Sequence, residues 1–497
     1  MARECRASES HRATASLSHC FTASWHESVV LQEAYVVREL NAIVVQTVRS
    51  SVRSRVFHVL FALILLAVFL LPLTVSGDGT ARGQLQISLT YSLGVVVALI
   101  STCTLWLSCG VLAREIESYS IHMVVTKPVP RWKVWLGKWL GVFLMESLTL
   151  LVSAAIILAL VRFRVARGDF STEEMARLNA EVLVGRRVFE PDIPDFTQLA
   201  RQEYENRLKA GTLDARHNPQ FVMEEMLRQV KAKSTEVPPN TTRFWRFSHV
   251  RVADPEERMS LRYRFYVGST SRSSQRMTQG LWVVRDPTSK EKAGFAAAPV
   301  QTMGGNFNEL QLRGSAVDLD DNTVIIGYSN EGPQGDTSLI FQHGDGPMLL
   351  VRVTGFLSNY IRSMVLAVFQ LAFLAALGCT VGAAFSTPVA VFVAVSYLVI
   401  GMFVQAAVKA PLTNEFGEYQ YKNVGERVLH YIALTVRKVI VSVDDFDATS
   451  DLAGGRLVEW ARVGTALLGL VVLRGGIMAA LGMWILTRRE VGLEIRR

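Results

Sequence analysis

Residues 114–141 read REIESYSIHMVVTKPVPRWKVWLGKWLG, and this charged stretch lies between two long apolar runs. The runs cover residues 87–112 and 140–161. Each is long enough to cross the hydrocarbon part of a membrane as a helix, which takes about 20 residues. The sequence therefore predicts that residues 113–139 form a short connection on one side of a membrane.

Two short segments are predicted inside this connection. Apolar side chains recur at helical spacing from residue 115 to residue 125, and the helix should end before Pro128, because the residue before a proline is pushed out of the helical region. A second segment follows Pro130. Its cations alternate with tryptophans, which is typical of a membrane interface with cations toward the headgroups; the residues are Arg131, Trp132, Lys133, Trp135, Lys138 and Trp139. On spacing alone, a positively charged connector with no further role is the alternative.

The same stretch resembles the cytoplasmic coupling segment of type-2 ABC exporter permeases, particularly the branch with the nitrous-oxide-reductase maturation permease. The family pattern is an acidic helix start, a small residue, a hydroxyl residue, a K-P-x-x-R turn and then G-K at the next span. The matching residues are Glu115, Glu117, Ser120, Lys127, Pro128, Arg131, Gly137 and Lys138. Tyr119 departs from the pattern, since the family tends to carry glycine there. The resemblance implies that this segment docks in a groove of a separate ATPase subunit and transmits its movement.

Composition favours a membrane protein with a water-exposed part. The 497 residues are 50% hydrophobic, with a mean hydropathy of +0.25 and a net charge of +8. We assign the positive charge to cytoplasmic Lys and Arg rather than to nucleic-acid binding. The five cysteines lie near the N-terminus or in predicted spans, so no disulfide framework or CxxC metal site is expected. The aspartates at 318, 320 and 321 lack the ligand spacing of a calcium loop, and no metal site is predicted.

The predicted fold is an α-helical membrane protein with an N-terminal interfacial helix and six transmembrane helices. The predicted spans cover residues 56–75, 87–112, 140–161, 361–384, 389–408 and 463–486. Basic flanks predict that both termini lie in the cytoplasm. The predicted membrane is the inner (plasma) membrane of the cell. The predicted domains are a disordered tail (1–35), an interfacial elbow helix (36–55), helices one to three with the coupling loop 113–139 (56–163), an inserted helical section (164–242), a β-sandwich (243–355), helices four and five (356–410), an outer loop (411–462), helix six (463–487) and a cytoplasmic tail (488–497).

The insert at residues 164–355 is predicted to be an extracytoplasmic α+β domain. Its first section shows helical spacing, whereas alternating apolar runs from residue 243 predict an antiparallel β-sandwich or jelly roll. Such folds often bind carbohydrate or lipid, but a structural cap or a partner-docking platform is the alternative. The loop at 411–462 is polar and is predicted to lie outside. Its stretch VSVDDFDATSDL, at 441–452, again resembles the exporter family.

Charged and polar residues inside spans are costly and therefore candidates for function. Glu146 and Arg474 are predicted to pair across the bundle, although Glu146 could face a cytoplasmic vestibule and Arg474 could reach the interface. Gln370 and Gln405 are weaker candidates and are expected to form interhelical hydrogen bonds.

The sequence lacks a G-x-x-x-x-G-K-[ST] loop, a nucleophile elbow and an HExxH pair, so we expect no enzyme and no bound cofactor. ATP would be bound and hydrolysed by the partner. The resemblance implies a permease subunit, paired with a second permease copy and driven by ABC ATPase subunits, with export as the family tendency. A non-transporting receptor or mechanotransmission protein is the first alternative. A membrane enzyme acting on lipid or glycan is the second.

Overall fold

The computed structural model describes residues 38–74, 81–120, 129–168, 170–212, 219–252, 254–268, 277–285, 294–296, 300–330, 337–342, 344–410 and 424–489. The predicted N-terminal tail, the first two residues of the predicted elbow helix, Lys127, Pro128 and the tail beyond residue 489 lie outside these ranges.

The first half of the helical part contains four helices. Helix α1 is Arg38–Val52 and α2 is Arg55–Thr74, with a bend of 70° between them. Helices α3, Ala81–Glu117, and α4, Arg131–Arg167, are long and apolar enough to cross a membrane. Proline at 130 lies at the N-cap of α4, where the missing N–H costs nothing.

After the insert, α8 is Phe356–Ala384 and α9 is Thr387–Lys409. A short helix, α11 (Thr449–Ala453), precedes the last long helix, Trp460–Arg488. That helix contains α12 (Trp460–Thr465), a π-helical segment (Ala466–Gly475) and α13 (Gly476–Arg488). In the described part of the chain, five helices could cross a membrane, or six if the bent α1–α2 pair counts as one span. The count of six spans therefore stays a prediction.

Helices α3 and α8 pack closely through small residues. A side chain added at Gly378 would overlap Ser108, and one added at Gly382 would overlap the backbone of Cys109. Glycines let helix backbones approach where lipid-like surroundings give little hydrophobic drive for association. Helix α8 is thereby the central helix, and it is buried over most of its length.

The insert between α4 and α8 supplies most of the remaining elements. Its helices are α5 (Thr172–Glu181), α6 (Phe196–Lys209) and α7 (Pro219–Thr235). Its strands are β1 (Val184–Phe189), β2 (Glu236–Val237), β3 (Thr242–Phe247), β4 (Arg258–Tyr263), β5 (Tyr266–Val267), β6 (Met277–Arg285), β7 (Gly294–Ala296), β8 (Val300–Met303), β9 (Asn308–Arg313), β10 (Val324–Ser329), β11 (Leu339–Ile340) and β12 (Met348–Gly355).

The strands pair antiparallel in sheets of order β1-β12-β4-β9, β3-β10-β6-β7 with β8 on β6, and β2-β11-β5. One apolar core joins the two larger sheets. Met259, Leu261 and Leu349 come from the first, and Phe247 and Trp282 from the second. The sheet-rich region predicted from alternating apolar residues is therefore present, while the jelly-roll topology stays a prediction.

The predicted boundary between a helical and a sheet section is wrong at one place. Residues 184–189, inside the section predicted to be helical, form β1, which pairs with β12. Strand β12 runs directly into α8 at Phe356, so β1 connects the insert to the start of a buried helix. Pairing with a distant strand decides this segment, and local spacing does not reveal it.

We call the end of the bundle that carries the insert the insert end, and the opposite end, where α3 and α4 are joined, the loop end. Helix α9 runs from the loop end to the insert end. Helix α10, Val424–Val436, then returns beside it: His430 Nδ1 lies 3.1 Å from the carbonyl oxygen of Ala407, and the backbone N–H of Val441 donates to Tyr397 Oη at 3.1 Å. The two contact points on α9, Ala407 and Tyr397, are ten residues apart, which is about 15 Å along the helix.

Residues 411–462 were predicted to be a polar outer loop, but residues 424–436 and 449–453 are helical and the segment between them packs on the bundle; its place outside the cytoplasm stays a prediction. Val441 and Phe446 are buried in the same apolar cluster as Phe373 of α8. Residues 437–446 therefore lie beside the middle of α8 and α9. The aspartates that made the segment look like a water-exposed loop are bonded locally: Asp445 pairs with Arg437, and its other oxygen accepts from the N–H of Ser442.

Candidate functional site

The connection between α3 and α4 is shorter than the sequence predicted, because both helices extend into it. Helix α3 continues through Glu115 to Glu117, so these residues end a long helix and do not begin a separate one. A turn at residues 118–120 follows, and Tyr119 has a φ of 57°. This left-handed conformation explains why a glycine suits the position. Residues 121–128, with most of the predicted coupling helix, lie outside the described residues.

Glu117 caps the neighbouring helix α9. Its carboxylate accepts a hydrogen bond from the backbone N–H of Thr387 at 2.8 Å and lies 3.3 Å from Thr387 Oγ1. A carboxylate at a helix N-terminus satisfies an otherwise unpaired N–H and interacts favourably with the helix dipole. The end of α3 is thereby bonded to the start of α9.

Glu115 pairs with a lysine that is almost completely buried. The ammonium group of Lys138 in α4 contacts the Glu115 carboxylate, and the two side chains are 2% and 20% exposed. Lys133, one turn earlier, pairs with Glu39 of α1 at 3.0 Å. The prediction that these lysines face lipid headgroups is therefore wrong. They neutralise carboxylates of α3 and α1 inside the bundle, where an unpaired charge would be costly.

Arg131 and Arg489 bond the ends of two further helices. The Arg131 guanidinium donates to the carbonyl oxygens of Leu486, Thr487 and Arg489 at 2.9–3.1 Å. Arg489 in turn donates to the carbonyl oxygen of Ala383 at 2.6 Å. Cations near helix C-termini satisfy carbonyls that have no partner within the helix. Arg131 is thus the start of α4 and the cap of the last helix.

Gly137 makes room for α1. A side chain built there would lie 2.7 Å from Ile43, and one at Gly141 would lie 2.7 Å from Thr47. The predicted Gly-Lys pair therefore has a packing role: Gly137 lets α1 approach α4, and Lys138 pairs with α3. Ser120 bonds to Ser118 Oγ at 2.9 Å.

Five of the predicted coupling residues, Glu115, Glu117, Arg131, Gly137 and Lys138, therefore come together at the loop end. They join α1, α3, α4, α9 and the last helix to one another. Whether the connection they hold docks on an ATPase stays a prediction, as does any role of Lys127 and Pro128.

The predicted pairing of Glu146 with Arg474 is wrong. Glu146 is buried and its Oε1 accepts from the Cys103 thiol at 3.4 Å, whereas Arg474 donates to the carbonyl oxygen of Arg437 at 3.3 Å. The predicted interhelical bond of Gln370 is present: its amide donates to Ser101 Oγ at 3.0 Å. Gln405 Oε1, in contrast, is buried without a partner among the described residues.

A second group, which sequence reasoning missed, joins the insert to the bundle. Arg82 at the start of α3 forms ion pairs with Glu181 of α5 at 2.5 Å and with Glu309 of β9 at 2.7 Å. Glu309 also pairs at 3.3 Å with Arg186 of β1, which is 2% exposed and donates to the carbonyl oxygen of Gly454. We call these four charged residues the junction cluster. Their sequence separations carry no periodic signal, so only the fold brings them together.

Burial and pairing compete in setting the pKa values of the junction cluster. Burial raises the pKa of the Glu181 carboxyl, and Arg82 opposes that rise. Burial also raises the pKa of Glu309, but Arg186 and Arg82 outweigh it and hold this pKa below its usual value. Burial lowers the pKa of the Arg186 guanidinium, and Glu309 opposes the change. Glu309 is therefore the carboxylate that the cluster keeps ionised.

Backbone bonds reinforce this junction. Residues 455–457 run beside β1, where Arg186 N donates to Gly455 O at 2.8 Å and Leu457 N donates to Arg186 O at 2.7 Å. Asn359, near the start of α8, donates to the carbonyl oxygen of Arg456 and accepts from the N–H of Val458. The insert, α3, α8 and the segment before the last helix thus meet in one continuous network.

Residues 42–177 match the family model described as ABC-2 family transporter protein. This part of the chain is similar to the ABC-2 transporter family. The match confirms the resemblance to type-2 ABC permeases, and it covers the whole loop-end constellation of α3 and α4. The matched range ends before the strands of the insert. No curated protein and no solved structure matches the chain.

The apolar helices and the similarity of residues 42–177 to ABC-2 transporters support a multi-pass membrane protein. The ABC-2 permeases associate with an ABC ATPase and the membrane. The branch of the family stays a prediction.

Proposed function

We propose that the chain is the permease subunit of an ABC exporter and that a separate ATPase subunit drives it by docking on the connection between α3 and α4. The observation that carries the proposal is the loop-end network around this connection. A force on this connection would reach α3 at Glu117, the last residue of that helix, and α4 at Arg131, its first residue.

The network also distributes such a force. The Glu115–Lys138 pair holds α3 and α4 together, and the Glu117 cap extends the connection to α9. The Arg131 bonds extend it to the last helix, and the Lys133–Glu39 pair extends it to α1. Helices α1, α3, α9 and the last helix are thus each bonded at the loop end by a side chain of the predicted coupling segment or α4. Such bonded helix ends suit rigid-body movement of a bundle.

In this proposal the loop end lies in the cytoplasm of a cell with an inner (plasma) membrane, and the insert lies outside. A second permease copy completes the membrane domain. The outward face of α9 is available for it, since this helix is apolar and mostly exposed within one chain. Exposed apolar faces in a membrane chain contact either lipid or another helix.

Co-purification tests the docking. A tagged, detergent-solubilised chain is expected to retain an ABC ATPase, and Lys127→Glu in the predicted coupling segment should lower the recovered ATPase by about tenfold or more, because a like charge placed in a charge-complementary groove is repelled. Lys409→Glu is the matched control. Lys409 lies at the insert end and its pair with Asp444 is exposed, so it contributes little to stability.

Wild-type chain that retains no ATPase would contradict the proposal. Equal recovery with Lys127→Glu and wild type would move the docking site away from this segment.

A mechanotransmission protein that does work on its outer domain is the second candidate, and the junction cluster favours it. Glu309 ties the insert to α3 through its ion pair with Arg82, and the backbone of Arg186 bonds to residues 455–457, which Asn359 of α8 holds in turn, so bundle movements reach the insert directly. Thiol labelling separates the two functions. Cys103 and Cys109 are buried in α3, and turnover of ATP in a transporter should expose at least one of them to a water-soluble maleimide. In a mechanotransmission protein, both thiols should stay protected from the maleimide.

The labelling is done in a chain with its other cysteines changed to alanine. Activity of the ATPase in that chain is the control that the change leaves coupling intact.

A further inference from the structure

A cationic cavity lies where the return segment after α10 meets the last helix. It has a volume of about 680 Å³ and is lined on one side by Arg437 and Lys438 and on the other by one face of the last helix. That face carries Arg462 near the insert end, Arg474 midway along the helix and Ile477 beyond it. The size is that of a small-molecule site.

The cations of the cavity are only partly neutralised. Arg437 pairs with Asp445, and Arg462 pairs with Asp451 at 2.9 Å. Arg474 bonds to a neutral carbonyl oxygen, that of Arg437. Asp445 also lines the cavity as the partner of Arg437, but Lys438 and Arg474 form no ion pair within the described part of the chain, and Arg474 lies at the middle of a helix that could cross a membrane.

The rest of the wall is apolar. Leu470 and Met478 line it beside Leu473 and Ile477, which are 62% and 58% exposed. These exposed side chains are on the outward side of the bundle, so an acyl chain could lie against them without entering the helix core. The helix is also irregular here: Ala466–Gly475 is π-helical, a distortion that occurs often at functional sites.

We propose that this cavity binds an anionic amphiphile, with its phosphate or carboxylate head on Arg474 and Lys438 and its hydrocarbon chain along Leu473 and Ile477. The carbonyl oxygen bonded to Arg474 does not neutralise its charge, and basic pockets between membrane helices suit anionic headgroups. A second copy of the chain fits this face less well, because a two-fold axis through it would bring the same surplus of cations together. The ligand site does not depend on the ATPase.

The test is lipid retention by the purified full chain in nanodiscs of equal parts phosphatidylglycerol and phosphatidylcholine. After extraction into mild detergent, native mass spectrometry counts the lipids that stay bound. The wild type is expected to retain phosphatidylglycerol, and the Arg474→Gln, Lys438→Gln double variant to retain about tenfold less, since hydrogen bonds to charged groups contribute strongly to binding. Phosphatidylcholine should dissociate from both.

Two controls keep the result specific. Arg488→Gln removes a charge from the same helix at the loop end, where Arg488 stacks on Trp484, and should leave retention unchanged. Lys438→Gln alone changes an exposed side chain that cannot disturb the fold, and should lower retention by itself; a thermal unfolding curve checks the double variant.

Equal phosphatidylglycerol retention by the wild type and the double variant would overturn the proposal. Displacement of the lipid by millimolar inorganic phosphate with no dependence on chain length would show that the site takes a free anion, which overturns the amphiphile assignment. Loss of a dimer in the double variant, with no change in bound lipid, would assign the face to a second copy.

Discussion

The carboxylate of Glu117, at the end of α3, accepts a hydrogen bond at 2.8 Å from the backbone N–H of Thr387, the first residue of α9. The last residue of α3 thus caps the N-terminus of α9, a helix far away in the sequence. In the predicted coupling segment, this bond makes an exposed acidic residue an intramolecular connector between two helices.

Replacing Glu117 by alanine should lower the free energy of unfolding by about 1 kcal/mol, the usual effect of losing a helix cap. Because the bond lies within one chain, the variant should still co-purify with the ATPase. ATP hydrolysis by the ATPase subunit should respond less to assembly with the variant than with the wild type. The measurements are a thermal unfolding curve and ATPase recovery. An unchanged unfolding temperature together with a lost ATPase would show that Glu117 contacts the partner instead.

Replacing Lys138 by methionine should destabilise the chain by about 3 to 5 kcal/mol, because the Glu115 carboxylate is left in the bundle without its cation. The Glu115→Met, Lys138→Met double variant should recover most of this loss, since a buried pair can be replaced by apolar side chains at little cost. Unfolding in detergent at increasing denaturant measures both. A double variant as unstable as the single one would mean that the pair is not the cause.

The backbone at Tyr119 predicts a stabilising substitution. Because φ is 57°, Tyr119→Gly should relieve strain and raise the free energy of unfolding by up to about 1 kcal/mol, less the extra freedom of glycine in the unfolded chain. Tyr119→Ala is the matched control: it removes the same exposed ring and keeps the strain. If alanine stabilises as much as glycine, the ring and not the backbone is responsible.

Acid should weaken the junction cluster through Glu309. Its pKa is lower in the folded chain than the ordinary 4.5, so its contribution to stability is complete above that pH and is lost as the pH falls through the folded pKa. Glu181 has the opposite sign: its raised pKa means that protonation on acidification favours the folded state. Glu309→Gln should therefore cost about 3 to 5 kcal/mol at neutral pH, by leaving buried Arg186 short of a partner, and should flatten the acid side of the stability profile.

Limited proteolysis of the insert as a function of pH reads out this junction. Glu203→Gln is a suitable control, because its pair with Arg207 is exposed and lies within one helix. An unchanged acid profile in Glu309→Gln would show that another group controls the junction.

The apolar runs around residues 114–141 were enough to predict membrane-crossing helices, because a helix of that length and composition has no stable place in water. The alternation around Trp282 and Ile326 similarly predicted strands, since alternating apolar and polar residues are visible within a single short segment. The surroundings of the Lys133 and Lys138 side chains could not be predicted. A cation beside a tryptophan has the same local pattern whether it faces a headgroup or a carboxylate of another helix.

The sequence by itself therefore determined the class of protein, the coupling-segment resemblance and the presence of a sheet-rich insert, because hydrophobic length and spacing act within a single segment. Only the tertiary structure decided which charges are paired. Arg186 meets Glu309, Glu117 meets Thr387, and Asp445 meets Arg437 beside the middle of α9. Burying a charge is favourable only with its partner in place, and long-range packing selects that partner.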